Sequence, residues 1–262
     1  MKRCVILLTC VFIFSCAAAA YALDVKGLQP LAPHGVFSTF STSTNPAGIF
    51  ATQFELEQSI DPSSYQLNSS VSFAITDTAE ASATIPYLLK TGESGFEDAA
   101  IGIKGRFVEE GEITPSVAAL VAGSVPSGRD VIATDGRIGG GLILSKKIGP
   151  FKTHANALIY SPFKRDLNAE VDLMLGAELQ AANNLSVLTE LQAKKSHDIN
   201  KFDYWDWKIG YRFKPLDFLY TTLAAGYGFK TRSPDLHIFL SFTIIYPPAG
   251  KILKHIYEEE KE

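Results

Sequence analysis

The chain has 262 residues, with 24 basic and 28 acidic side chains and a hydrophobic fraction of 46%. Its net charge of −4 offers no basic surface, which argues against nucleic acid as a partner. No apolar run after residue 22 reaches the ~18 residues of a membrane helix, so the apolar residues must be dispersed over shorter elements.

At the N-terminus, Lys2 and Arg3 precede an apolar run from Val5 to Phe14, and an Ala-rich stretch ends in Ala20-Tyr21-Ala22. A charged start, an apolar centre and an A-x-A site make residues 1–22 a secretory signal peptide. Lipidation at Cys16 is the alternative, and Phe14 two residues before it fits that poorly. All three cysteines (Cys4, Cys10, Cys16) lie inside this signal. The exported part is therefore expected to have no disulfide, no thiol nucleophile, no metal and no cofactor. Without Lys2 and Arg3 it carries 22 basic and 28 acidic side chains, a net charge of −6.

Residues 23–47 are irregular, with Pro30, Pro33, Pro46 and the run STFSTST. They read as a periplasmic lead or a plug tucked into whatever follows. From there to residue 246 the pattern is extended. Ile49–Ile60 sets Phe50, Thr52, Phe54 and Leu56 against Gln53, Glu55, Glu57 and Ser59, and Tyr65–Thr76 repeats the alternation. Then come Ala79–Leu88, the loop 91–98, Ala99–Val108, Thr114–Val125, the loop 126–135, Arg137–Ile148 and Lys152–Ser161.

The clearest stretch is Asn168–Gln180, NAEVDLMLGAELQ. Ala169, Val171, Leu173, Leu175, Ala177 and Leu179 form one face; Glu170, Asp172, Met174, Gly176, Glu178 and Gln180 form the other. Successive strand side chains point to opposite faces, so this is a strand with one oily and one ionic side. A helix would smear the two classes around its axis. Its length exceeds the ~9–11 residues of a tilted membrane-spanning strand. Leu185–Lys194, Phe202–Lys214, Phe218–Phe229 and Leu236–Tyr246 complete the series.

Twelve such segments, joined alternately by tight turns and longer loops, predict an all-β, antiparallel, up-and-down transmembrane β-barrel over residues 48–246. The even strand number returns the tail, residues 247–262, to the periplasmic side. The implied location is the outer membrane of a Gram-negative cell. The implied partners are the lipid bilayer, the barrel-assembly machinery and a small-molecule solute. A secreted β-sandwich, the competing fold, needs shorter strands and larger polar loops.

The aromatic residues fit this orientation. Tyr65, Tyr87, Trp205, Tyr227 and Phe229 fall on the lipid-facing strand ends at the outer rim, and Phe50, Phe107, Phe213 and Tyr246 at the periplasmic rim. Two aromatic girdles around an aliphatic band suit the two membrane interfaces.

The segments Ile85-Pro86-Tyr87, GFEDAAIGIKGRF at 95–107, SVPSG at 124–128 and KIGYRF at 208–213 resemble the outer-membrane barrel family labelled MetA-pathway of phenol degradation. The resemblance implies an exported barrel that passes small hydrophobic compounds, aromatic ones included. The chain departs from the family's G-x-G-D, because Glu97 occupies the second Gly place, and it carries the extra tail.

The inward face holds Glu55, Glu57, Glu80, Glu170, Asp172, Glu178, Glu190 and Asp206, with Lys104, Arg106, Arg137, Lys152, Lys208 and Arg212, and with His154 and His237. One reading is a polar channel with an acidic wall from Glu170 to Asp206 and a basic wall from Lys104 to Arg137. The other is that these charges pair and fill the lumen, as side chains do in narrow barrels. An outer-membrane lipid hydrolase would need a nucleophile and a base together at the lipid face. His34, His154, His197, His237 and His255 all fall elsewhere, and no G-x-S-x-G or H-E-x-x-H occurs. His154, Asn156 and His237 form the one cluster that invites inspection.

The expectation is a non-enzymatic, restrictive channel or transporter for a small hydrophobic solute, entered near Phe96, Val131 and Tyr204. Aqueous pores belong to barrels of ~16–18 strands, and smaller barrels are filled or hold a ligand.

Overall fold

Among the described residues, twelve long strands and one short one form a single antiparallel sheet whose two ends pair with each other. The structure, a computed structural model, describes residues 27–60, 63–90, 93–128, 135–197, 200–230 and 233–247. Residues 1–22, expected to be a signal peptide, together with Val131 and the tail beyond Pro247, lie outside the described residues. The strands are β1 (Phe50–Ser59), β2 (Ser64–Thr76), β3 (Ala79–Lys90), β4 (Glu93–Phe96), β5 (Ala99–Val108), β6 (Ser116–Val125) and β7 (Arg137–Ile148). They continue with β8 (Phe151–Pro162), β9 (Glu170–Ala182), β10 (Leu185–Lys195), β11 (Tyr204–Leu216), β12 (Leu219–Gly228) and β13 (His237–Tyr246).

Apart from β4, which pairs with β3 alone and leaves β5 to pair with β3 and β6, each strand pairs with its sequence neighbours, and β13 returns to β1 with Tyr246 opposite Phe50 and His237 opposite Ser59. Closure removes both free edges, which would otherwise be templates for aggregation. The tight turns Asp77-Thr78, Gly149-Pro150, Asn183-Asn184 and Asp217-Phe218 gather at one rim with the 109–115 connection, and the other connections between neighbouring strands lie at the opposite rim. Register shifts at Ala74/Thr76, Arg106/Val108, Leu185/Ser186 and Phe213/Leu216 all fall beside the tight-turn rim. Bulges there add local twist as the strands enter their turns.

One expected loop is partly strand. Residues 93–96 form β4, which lies along Tyr87–Lys90 of β3, while β5 lies along Ala79–Thr84. Together β4 and β5 fill one strand position, interrupted where Glu97 and Asp98 turn inward. Pro86 explains the break: it has no N–H to give the ladder, and only its carbonyl is used, by Glu97 N at 3.0 Å.

Alternation governs exposure throughout. On β9, Leu175 is 58% exposed and its neighbour Met174 only 2%. The outward side is an unbroken apolar band including Ile101, Val121, Leu142, Ile159, Leu223 and Phe242. In water such a surface would be an aggregation hazard; a bilayer covers it. No helix among the described residues is long and apolar enough to cross a membrane, so the strands make the crossing.

A charge on this band at mid-strand should cost ~2–4 kcal/mol. Leu175→Arg is therefore expected to lower the yield of heat-modifiable, membrane-inserted protein, read by the mobility shift between boiled and unboiled samples. The inward Met174 makes a different contrast from the open lumen position expected of it. It packs with Leu28, Phe40, Leu120, Ile143 and Leu158. Met174→Arg should leave the barrel inserted while disturbing residues 28–40.

Candidate functional site

The lumen is occupied by the chain's own residues 27–49. From Gly27 the segment runs along the inner wall, and Gln29 N donates to Thr84 Oγ1 at 3.2 Å. At the tight-turn end Leu31 packs with Ile49, Ala51 and Ile245. Gln53 takes both sides of the backbone there, accepting from Ala32 N at 3.0 Å and donating to Pro30 O at 3.3 Å. The segment then rises into a turn, closed by Val36 N to Thr39 O at 2.9 Å and by a bridge between Gly35 and Phe40. It descends again to Phe50.

Glu190 holds the top of that turn. Its Oε2 accepts from the N–H groups of Phe37, Ser38 and Thr39 at 3.1, 2.8 and 2.7 Å, and from the Thr39 hydroxyl at 2.8 Å. Successive N–H groups in a turn form a concave anion site, and a charged acceptor makes each such bond about twice as strong as a neutral one. Asn156 is two-handed: its Oδ1 accepts from Phe40 N at 2.7 Å and its Nδ2 donates to Phe40 O at 2.9 Å. Arg212 donates to the carbonyls of Pro33, Gly35 and Val36. Lys104 Nζ donates to those of Ser41 and Ser43 at 2.8 and 2.7 Å. Thr42 N donates to Ser145 Oγ at 3.0 Å, and its hydroxyl lies 2.6 Å from that of Ser116.

Apolar contacts fill what polar groups leave. Phe40 and Leu28 cover an inward stripe of β6 to β9, and Phe37 packs edge-to-face on Phe239 with centroids 5.4 Å apart. Two wall glycines make the room: a Cβ at Gly102 would strike Leu28, and one at Gly176 would strike Val36. His34 pairs with Asn45 Oδ1 at 3.0 Å. Burial, and next Lys104, push its imidazole down to about 3, so it is neutral in ordinary media.

The charges expected on opposite walls are interleaved instead. Arg137 Nη1 donates to both oxygens of Glu170 at 2.6 and 2.7 Å, and Lys194 Nζ lies 3.2 Å from the same carboxylate. Lys104 meets Glu80 at 2.9 Å, Arg212 meets Glu178 at 3.5 Å, and Lys208 lies 3.8 Å from Glu190 and 3.5 Å from Asp206. Asp172 receives Gln192 Nε2 through both oxygens. Charges taken from water need such partners, which is why two separate walls do not form. Glu55 accepts from Asn68 Nδ2 at 2.7 Å, and Glu57 is buried beside it on β1. Arg106 lies at the tight-turn rim, part-exposed near Asp77 and Glu109.

His154 and His237 do not share a cluster. His154 Nδ1 bonds Ser145 Oγ at 2.8 Å, Asn156 serves Phe40, and His237 faces Asp206 at 3.3 Å. His237 is fully buried, and its ring occupies the space that a side chain at Gly226 would take.

Outside the lumen, Phe50, Tyr65, Phe107, Trp205, Phe213, Tyr227, Phe229 and Tyr246 are exposed, and Tyr87 is half-buried against Phe96. Phe96 therefore faces outward with the girdle and not into the mouth, whereas Tyr204 is buried. The sequence reading misses Lys194, the penultimate residue of β10, at the end of the strand away from the tight turn. It also misses Glu97 and Asp98, which Pro86 turns inward. Asp98 accepts from Gly128 N and Gly136 N, both at 3.1 Å, tying the two ends of the longest outer connection.

The closed antiparallel barrel has structural counterparts. An outer membrane channel from Pseudomonas putida F1 superposes with a TM-score of 0.59 at 10% identity, over 78% of this chain and 98% of that one. The fold is that of outer-membrane barrels. The KdgM porin gives 0.56 at 9% identity, over 74% and 98% of the two chains, and the NanC porin 0.54 at 8%, over 74% and 98%. Likeness at these identities is one of fold. With that fold and its apolar girth, the chain is a protein of the outer membrane. No family profile and no curated protein matches the sequence, so the resemblance to the phenol-degradation family rests on its short segments alone.

Proposed function

We propose that this barrel is a restrictive, non-enzymatic channel for small apolar solutes, kept closed by residues 27–47 acting as a plug within the barrel 48–246. The observation that carries the proposal is the lumen occupied from Gln29 to Asn45 by buried backbone bonded to the wall. A lumen so filled leaves no water column of porin width. The apolar character of the solute is supported by the inner stripe of Leu120, Ile143, Leu158 and Met174, and its aromatic character only by the family resemblance. Glu55, Glu57, Lys104, Arg137, Glu170, Asp172, Glu178, Glu190, Asp206, Lys208 and Arg212 would line the path.

The same filled lumen also favours a second reading, a structural barrel with no path at all. Transport separates them. Reconstituted in planar bilayers, the protein should show little steady conductance, and liposomes carrying it should take up a small apolar solute faster than empty ones while excluding sugars. A large steady conductance overturns the restrictive reading. Silence with no uptake favours the structural barrel.

A further inference from the structure

The wall groups facing residues 29–43 do not read side chains alone. They read peptide backbone. Asn156 takes the N–H and the carbonyl of Phe40, and Gln53 takes the N–H of Ala32 and the carbonyl of Pro30. Glu190 gathers three consecutive N–H groups, Arg212 three carbonyls and Lys104 two. Between these polar clamps, two apolar recesses accept the rings of Phe37 and Phe40. This is the donor and acceptor pattern of a peptide-recognition groove, in which backbone bonds give affinity and side-chain pockets give selectivity.

We infer that the lumen wall is a peptide-binding site, and that residues 29–43 are its ligand held in cis. The class of free ligand is a short peptide with a tight Ser/Thr turn between two aromatic side chains, as in Val36-Phe37-Ser38-Thr39-Phe40. Tethering explains why such a ligand would not be taken up by the resting protein. A segment joined to the barrel through Phe50 competes at an effective concentration in the millimolar range, and a free peptide displaces it only when the cis copy is weakened. The inference rests on the closed-lumen reading but makes its own demand, since binding and conduction are separate measurements.

The test weakens the cis copy and spares the wall. In the full-length protein, Phe37→Ala with Phe40→Ala removes both rings from the segment and leaves Glu190, Asn156 and Arg212 in place. A fluorescent synthetic peptide spanning residues 33–44 should then bind saturably by anisotropy, at least tenfold tighter than a scrambled peptide of the same composition. Wild-type protein should bind it at least tenfold more weakly. Adding Glu190→Gln to the double variant should lower affinity by a further factor of about ten, the equivalent of one 1.4 kcal/mol step. If the double variant fails to give heat-modifiable barrel, Phe40→Ala alone serves. Equal binding of the native and scrambled peptides, or no saturable binding to any folded variant, overturns the inference. Saturable peptide binding by a barrel that never conducts would instead remove the channel reading and leave the peptide site standing.

Discussion

Thr42→Cys with Ser116→Cys should produce a barrel whose solute uptake is switched by reductant. The two hydroxyl oxygens are 2.6 Å apart, one on the lumen segment and one on β6. All three native cysteines lie at positions 4, 10 and 16, within the stretch whose sequence reads as a signal peptide, so removal of that stretch on export would leave the engineered pair without a competing thiol. Oxidised, the bond fixes the descending limb of the segment to the wall and removes the open state from the ensemble. Flux follows the open fraction, so oxidation should lower uptake of the small apolar solute by about tenfold or more, and reduction should restore the wild-type value. The barrel itself should stay heat-modifiable in both states, because its ladder is untouched. Equal uptake with and without reductant would mean that solutes pass by a route the segment does not control.

The strands were legible because one rule, a period of two, acts on every residue of β9 or β13, and burial follows it residue by residue. Leu173, Leu175 and Ala177 point to lipid for the same reason that Asp172 and Glu178 do not. What the alternation leaves open is the identity of the neighbours. Arg137 and Glu170 meet across the lumen face with β8 between them, and Tyr160 of that strand lies under the guanidinium at 4.9 Å. Only the register of two successive hairpins brings those three groups together.

The path of residues 27–49 was hidden for a different reason. Its bonds use backbone N–H and carbonyl groups, which every residue possesses, so no side-chain pattern marks them. The traces it left lie in the wall: Asn156 and Gln53 are buried amides bonded to the segment's backbone, and Gly102 and Gly176 are inward glycines without an evident turn to make. Parity alone places Met174 on the polar face, although its chemistry suits the apolar stripe it joins.

Glu190→Ala should open the lumen more than any other single change in the wall. Its carboxylate is 2% exposed as a residue and serves four donors of the segment through Oε2, while Oε1 stands 3.8 Å from Lys208 Nζ. Truncation leaves three N–H groups and a hydroxyl facing a void and withdraws one negative charge from beside the Lys208 ammonium. Breaking a buried charged pair from one side costs ~3–5 kcal/mol, and that cost falls on the seated state of the segment, since the backbone ladder of β9, β10 and β11 keeps its bonds. Glu190→Gln should be milder. It retains an acceptor oxygen, and a neutral hydrogen bond is worth ~0.5–1.5 kcal/mol against ~1.5–3 for one to a charge. Protease susceptibility within residues 36–45 should therefore fall from the alanine variant through the glutamine variant to wild type, with bilayer conductance falling in the same order and heat modifiability unchanged. If the alanine variant matches wild type in both cleavage and conductance, the turn at 36–39 is not held by this carboxylate, and the closing contacts must be sought at Asn156 and Arg212.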